Sequence, residues 1–298
     1  MRKFWKAANK ALDVFVILVC LFCVLICGYA MVDTALVYNA ASDDSLLKYK
    51  PALLNPGEAE DRTLGIAWLT IDETTIDYPV MQGATNEEYL NKDPEGNYSL
   101  SGSIFLDYRN HADFSDDYSL VYGHHMAGGA MFGALDDFLS DEFLTSHRTG
   151  TLVVGQKVYD LDIFASMATT ADVKEIFEPT ETEGTLEYVR ENAQHLLDVP
   201  EGRLVGLSTC ADADTEDRTV VFAALQDNGR TLADLRSDTR EQDKTVQPQT
   251  AERKKDSDGR TLLWIILAAC MIAAGIAIWN VHKKRTGKKK NSKYHKHQ

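Results

Sequence analysis

RLVGLSTCADADTEDRTVVFAAL, residues 203–225, is the stretch whose reading decides the fold. Residues 203–209 and 218–225 are short, apolar and rich in β-branched side chains, so they read as two strands. The polar residues between them, which include Asp212, Asp214, Glu216 and Asp217, form a loop. Paired as a hairpin, the strands set Cys210 and Arg218 across its mouth, where facing Cβ atoms are about 5 Å apart. The alternative for Arg218 is a salt bridge to Asp214 or Asp217.

The same pattern continues outward from this pair. Runs at 64–71, 76–81, 102–106, 118–122, 151–154 and 157–168 are short, β-like and separated by turn residues. Eight such strands predict a mainly β domain, a barrel or a sandwich. One segment departs from the trend. Between 183 and 197, apolar residues at 186, 189, 193, 196 and 197 have helical spacing and predict a one-faced amphipathic helix. A shorter helix is expected over 131–139. Residues 230–260 are polar, with almost nothing to bury, and read as a tether.

Two apolar runs bracket the domain. Residues 14–32 and 262–279 carry no charge, and each is near the length needed to cross about 30 Å of hydrocarbon. Arg2, Lys3, Lys6 and Lys10 precede the first, and eight Lys and Arg follow the second. The positive-inside rule then places both termini in the cytoplasm and the middle outside. A cleavable signal peptide is the other reading of the first run, which is long for an h-region of about 7–15 residues. The boundaries are a basic N-terminus at 1–10, a span at 11–32, a stalk at 33–62, the β domain at 63–229, the linker at 230–260, a span at 261–280 and a basic tail at 281–298.

The net charge of −14 conceals an asymmetry, because residues 33–261 alone carry 19 basic and 44 acidic groups. So acidic a surface argues against nucleic acid as a partner. Among the five cysteines, Cys210 alone lies outside the apolar runs. An exported thiol with no partner for an internal disulfide is a linker between chains or a nucleophile, and its place at a strand end favours the nucleophile. Acyl transfer by a thiol also needs a proton donor and a group to hold the oxyanion. Arg218 fits the second need. For the first, His124 and His125 follow a strand closed by Gly123, whereas His111, His147 and His195 read as loop histidines; spacing does not choose between the adjacent pair. Carboxylates beside the thiol and imidazole are expected to leave a minority of molecules holding the ion pair at neutral pH. Asp212 and Asp214 lack the glycine and terminal glutamate of a calcium loop and read as solvated.

Tyr-Gly-His-His-Met (122–126), Leu-Ser-Thr-Cys (207–210) and Arg218 resemble the histidine, cysteine and arginine signature of sortases, membrane-anchored cysteine transpeptidases of Gram-positive cell walls. Ile76-Asp-Tyr-Pro-Val-Met-Gln-Gly83, Asn86-x-x-Tyr-Leu-Asn91, Gly102-Ser-Ile-Phe-Leu-Asp-Tyr-Arg-Asn110 and the 183–197 helix are similar to class B. The second span is instead a habit of class C, whose lid motif the stalk lacks. The resemblance implies an eight-stranded sortase β-barrel, which the two apolar runs flank with transmembrane helices, and no cofactor or metal is expected. It implies Cys210 as nucleophile, His124 as general acid and base, and Arg218 as oxyanion and substrate-orienting group, with Tyr122, Ser208 and Thr209 as weaker substrate contacts. The implied partners are secreted proteins with a C-terminal sorting signal containing Thr, and an amine of a peptidoglycan precursor or a pilin lysine. A hydrolytic cysteine peptidase and a silent binding module that keeps the fold are the remaining alternatives.

The two-span reading has a direct check. Protease added to intact protoplasts is expected to cut within residues 230–260 and to spare an epitope at Gln298; loss of that epitope would show that the second run does not cross.

Overall fold

The computed structural model describes residues 2–41, 46–53, 64–180, 184–209 and 217–245. Cys210, residues 211–216 of the acidic loop, residues 246–260 of the linker, the second apolar run and the basic tail lie outside the described residues.

Helix α1 runs from Arg2 to Ala41, and its Ala7–Ala35 portion is long and apolar enough to cross a membrane. It extends beyond the uncharged run at both ends because Ala, Leu and Lys there are good helix formers.

Nine strands follow among the described residues: β1 (Ala67–Ile71), β2 (Asp77–Met81), β3 (Ile104–Leu106), β4 (Tyr118–Gly123), β5 (Thr149–Val154), β6 (Lys157–Thr170), β7 (His195–Leu196), β8 (Arg203–Thr209) and β9 (Asp217–Thr231). Their order is β5-β1-β2-β3-β4-β8-β9-β6, and a β5–β6 pairing closes eight of them into the predicted barrel. Closure leaves no open edge among these eight. The two-residue β7 attaches to the outer reach of β6. Two neighbouring pairs are parallel, β2 with β3 and β4 with β8, and each is joined by a long crossover.

Side-chain alternation divides the apolar residues into two layers. Leu69, Val80, Leu106, Val121, Leu161, Leu207 and Val221 fill the barrel, where Phe132, Leu135 and Phe138 join them. The last two of these come from the 3-10 helix Gly133–Leu139, which occupies most of the predicted 131–139 segment. On the outer face of β4, β8, β9 and β6, Leu120, Val220, Phe222 and Phe164 pack against short helices. These helices contribute Ile176 of Lys174–Phe177 and Val189 of Thr185–Asn192. Each buried Val, Leu, Ile or Phe contributes about 1.5–3 kcal/mol.

Two elements depart from the sequence pattern for identifiable reasons. The helix expected over 183–197 occupies Thr185–Asn192, and the chain then turns into β7. Beyond Asp162, β6 has no pairing with β5, so its outward backbone groups need partners. Gln194 N–H donates to Ser166 O and Leu197 N–H to Phe164 O, which supplies them. Strand β9 runs six residues past the predicted Leu225. Its polar residues 227–229 form an irregular excursion, after which pairing with β6 resumes at Arg230 and Thr231.

Residues 46–53, expected to be stalk, are docked on the barrel. Lys50 Nζ lies 2.8 Å from Asp77, whose Oδ1 also accepts from Trp68 Nε1 and Thr70 Oγ1. Leu232, at the start of the helix Leu232–Thr245, packs with Trp68 and Val158 against Leu46 and Leu47. Arg236 on the same helix donates to Pro51 O at 3.0 Å. The chain entering the barrel and the chain leaving it therefore touch.

A polar knot holds the turn after β3. Asp107 is fully buried; Oδ1 accepts from Arg109 Nε and Oδ2 from Arg109 Nη2 and Asn86 Nδ2, each at 2.8 Å. Tyr122 Oη adds a bond of 3.2 Å. Arg109 reaches on to Glu178 and to Phe177 O, tying this turn to the helical layer. Burial works to raise the Asp107 pKa, but Arg109 and Asn86 outweigh it and hold the carboxyl below its ordinary value.

Removing one partner of a buried ion pair costs about 3–5 kcal/mol. Asp107→Ala is accordingly expected to shift the denaturant midpoint of the full chain strongly, while Lys92→Gln, at the exposed Lys92–Glu88 pair, leaves it in place. The contribution of a depressed carboxyl is present above its unfolded pKa and lost as pH falls through the lowered folded value. The gap between wild type and Asp107→Ala is thus expected to narrow in acid, and an unchanged midpoint at neutral pH would deny the knot its role.

Candidate active site

Three strand ends meet at one end of the barrel. Parallel pairing runs from Tyr118 opposite Leu204 to Gly123 opposite Thr209. Antiparallel pairing of β8 with β9 reaches Ser208 opposite Val220, and Thr219 N–H then donates to Thr209 Oγ1 at 3.0 Å. Arg218 pairs with Thr169 of β6. The strand ends that precede His124 and Cys210, and the strand start that carries Arg218, are thus neighbours in one wall. Cys210 follows Thr209 in the chain and is outside the described residues.

His124 is half-buried, and its Nε2 lies 2.6 Å from Leu90 O. A carbonyl only accepts, so Nε2 carries a hydrogen and Nδ1 is the nitrogen left to exchange a proton. Two glycines make this placement possible. A Cβ on Gly123 would stand 2.4 Å from Ile104 Cδ1, so only glycine lets β4 end against the core. Gly102 has φ 58°, and a Cβ there would stand 2.9 Å from His124 Cδ2 and 2.5 Å from Leu90 O.

The other histidines are engaged elsewhere. His125 is exposed, and its Nε2 is 2.7 Å from Asp136 Oδ2. His111 pairs with Asp116, whose hydrogen bond and charge raise the imidazole pKa. His147 stacks on Phe143, and His195 Nε2 lies 2.8 Å from Leu139 O.

Arg218 is half-buried, and its Nη1 donates to the backbone oxygen of Asp217 at 3.1 Å. Among the described residues no carboxylate lies within ion-pair distance of its guanidinium. Asp214, one of the two partners considered for it, is outside the described residues. The weaker candidates divide. Tyr122 is half-buried, stacked at a tilt on Phe105 and bonded to Asp107. Ser208 and Thr209 are buried; the Ser208 hydroxyl donates to Thr209 O, and that of Thr209 receives Thr219 N–H. Both hydroxyls are engaged inside the wall.

Three contributors escaped the sequence reading. The Leu90 carbonyl has no signature, since any residue supplies one. Asp136 sits in a helical pattern that predicts a solvated carboxylate. Asp107 lies within the 102–110 motif, but nothing local to it announces burial beside Arg109.

The sortase domain family matches residues 69–226 of this chain. Sortase B of Listeria monocytogenes is 37% identical over 158 residues, 51% of this chain and 63% of that protein, so the match spans less than two thirds of the relative. A Streptococcus pyogenes class B sortase involved in pilus biogenesis is similar in structure, with 39% identity, TM-score 0.50 and coverage of 54% of this chain and 91% of that one. The Staphylococcus aureus sortase B–substrate complex has 31% identity and TM-score 0.50, covering 55% and 80% of the two chains.

The two adjacent histidines make different contacts and are expected to respond differently. A general acid and base contributes about 10²–10⁴-fold. Loss of that size in peptide turnover is expected for His124→Gln, with a far smaller loss for His125→Gln. The reverse order in kcat/KM would move the proton-transfer role to His125.

Proposed function

The chain belongs to the sortase family, and from that premise we propose that it is a membrane-anchored cysteine transpeptidase of class B type in which Cys210, His124 and Arg218 react together. The observation that carries this reading is the register of the wall. Residues 121, 207 and 221 face the barrel interior, and 120, 122, 204, 220 and 222 the outer layer. His124 follows the end of β4, and Cys210 is next in the chain after Thr209 at the end of β8, the direct neighbour of β4. Arg218 adjoins Thr219, whose N–H donates to Thr209 Oγ1, so the three residues are chain neighbours of one paired set of strand ends.

In the proposed reaction, the Cys210 thiolate attacks the carbonyl carbon of a Thr in the sorting motif of a secreted protein. The oxyanion that forms is held by Arg218, which has no competing carboxylate among the described residues. The C–N bond breaks as His124 Nδ1 gives its proton to the departing amine, leaving a thioester. The incoming amine then loses a proton to the same nitrogen and displaces the thiolate, restoring the enzyme. The Leu90 carbonyl keeps the imidazole in one tautomer and one orientation through both steps, which is the role a fixed partner plays for a catalytic histidine. The solved substrate complex of the S. aureus relative supports substrate binding by this fold.

The amine belongs to a wall-precursor peptide in the first reading. A pilin lysine is the second, favoured by the pilus role of the S. pyogenes relative and by the second apolar run. Topologically, α1 anchors the domain outside the membrane, with residues 261–280 as a second span and both termini in the cytoplasm. The contact between Pro51 and Arg236 supports this arrangement, because it lets both connections leave from one place on the barrel. The domain boundaries at 63–229 and the linker at 230–260 belong to the same proposal.

The experiment is acylation of the purified full chain by peptides carrying Leu-Pro-x-Thr-Gly or Asn-Pro-x-Thr, followed by mass spectrometry. An adduct on wild type, absent in Cys210→Ala and formed about 10²–10³-fold more slowly in Arg218→Ala, is expected. An adduct that persists in Cys210→Ala sinks the assignment.

A further inference from the structure

Each of the three proposed reacting residues has a chain neighbour that belongs to one hydrogen-bonded chain. His125, next to His124, has Nε2 2.7 Å from Asp136 Oδ2. Thr219, next to Arg218, donates its hydroxyl to Asp136 Oδ1 at 2.6 Å. Thr209, next to Cys210, receives the backbone N–H of Thr219 on its own hydroxyl at 3.0 Å. Asp136 thus uses both carboxylate oxygens, one toward the end of β4 and one toward the start of β9, and Thr219 passes the link on to β8. No ladder pairing joins β4 to β9 directly, since β8 lies between them.

The segment that carries Asp136 is itself held at this end of the barrel. Phe132 N–H donates to His124 O at 3.0 Å, and His125 and Met131 form an isolated antiparallel bridge. On the same 3-10 helix Leu135 and Phe138 are completely buried on either side of the exposed Asp136. The carboxylate is therefore anchored in the core and directed to the mouth. A carboxylate with only a solvent role has no need of two partners on two different strands.

We propose that Asp136 is a positioning residue: by joining His125 to Thr219 it sets the separation between the strand end bearing His124 and the strand start bearing Arg218. Thr219 is the second member of this brace. The inference rests on the reading of Cys210, His124 and Arg218 as the reacting set. It goes beyond that reading by assigning a role to groups that touch neither substrate nor the reacting atoms. A brace of this kind acts on the transition state, because a misplacement of about 1 Å is felt in the rate of the chemical step, up to 10²-fold, before it is felt in substrate binding.

The test uses the full chain in detergent micelles with the peptides named above, measuring kcat, KM and melting temperature. Asp136→Asn and Thr219→Val are each expected to lower kcat by about 10- to 100-fold with KM changed by less than about threefold and with little change in melting temperature. The double variant is expected to be no slower than the worse single, as for two members of one linkage. Asp136→Glu, which keeps both acceptor oxygens, is expected to regain part of the rate. Additive losses, a loss that tracks a fall in melting temperature, or a wild-type kcat in Asp136→Asn each overturn the proposal. Cys210→Ala and His124→Gln run alongside separate the two levels. If they turn over peptide, the catalytic reading falls and the brace with it; if they are inert while Asp136→Asn is unimpaired, the brace alone is wrong.

Discussion

Parallel pairing of β4 with β8 is the constraint on which the rest of this structure depends. Among the described residues the two strands are separated in the chain by β5, β6, β7, three α-helices and two 3-10 helices, yet six consecutive residue pairs hold them in register. Parallel neighbours cannot be joined by a tight turn, so this pairing requires the long excursion that builds the other half of the barrel. It also makes two strand ends point the same way. A hairpin would have put the end of one strand beside the start of the other. Here Gly123 and Thr209 end together at one rim.

Around that rim, polar groups do the positioning and apolar groups supply the rigidity. Asp107 is the deepest of the polar anchors, with five donors converging on its two oxygens from Arg109, Asn86 and Tyr122. Tyr122 immediately precedes Gly123, so the knot also fixes how β4 approaches its end. The Leu90 carbonyl acts more directly, by holding the His124 ring. A buried carboxylate without its donors would be a large liability. Fully partnered, it joins the loop after β3, the end of β4 and the helical layer into one unit, which is what a site assembled from distant segments of chain needs.

The connections before and after the barrel meet it at a different place. The segment after α1 lies against β1 and β2 through Lys50 and Asp77, and the helix after β9 closes over it through Arg236. A segment docked this way fixes where the two connections leave the barrel, whereas a free stalk would not. The acidic surface of residues 33–261 keeps the remainder of the domain well hydrated.

Most of the architecture was legible in the sequence because it rests on local pattern. Alternating apolar runs between turn residues are visible without a partner strand, and the 203–209 run is strand β8 as read. The uncharged run and its basic flank likewise define α1, since crossing a membrane is a property of composition and length. Pattern failed where a segment's state depends on a distant backbone. Residues 193–197 keep helical spacing, yet His195 and Leu196 form β7 and the backbone beside them bonds to β6, whose unpaired groups are better satisfied that way. The excursion at 227–229 looks like the end of a strand, yet the ladder continues past it. At the rim, the sequence could present a thiol, two adjacent histidines and an arginine, and the likeness to sortases could choose among them. Only the tertiary structure decided that His124 faces the Leu90 carbonyl while His125 faces Asp136, because both contacts join residues brought together by the closure of the barrel and by no spacing along the chain.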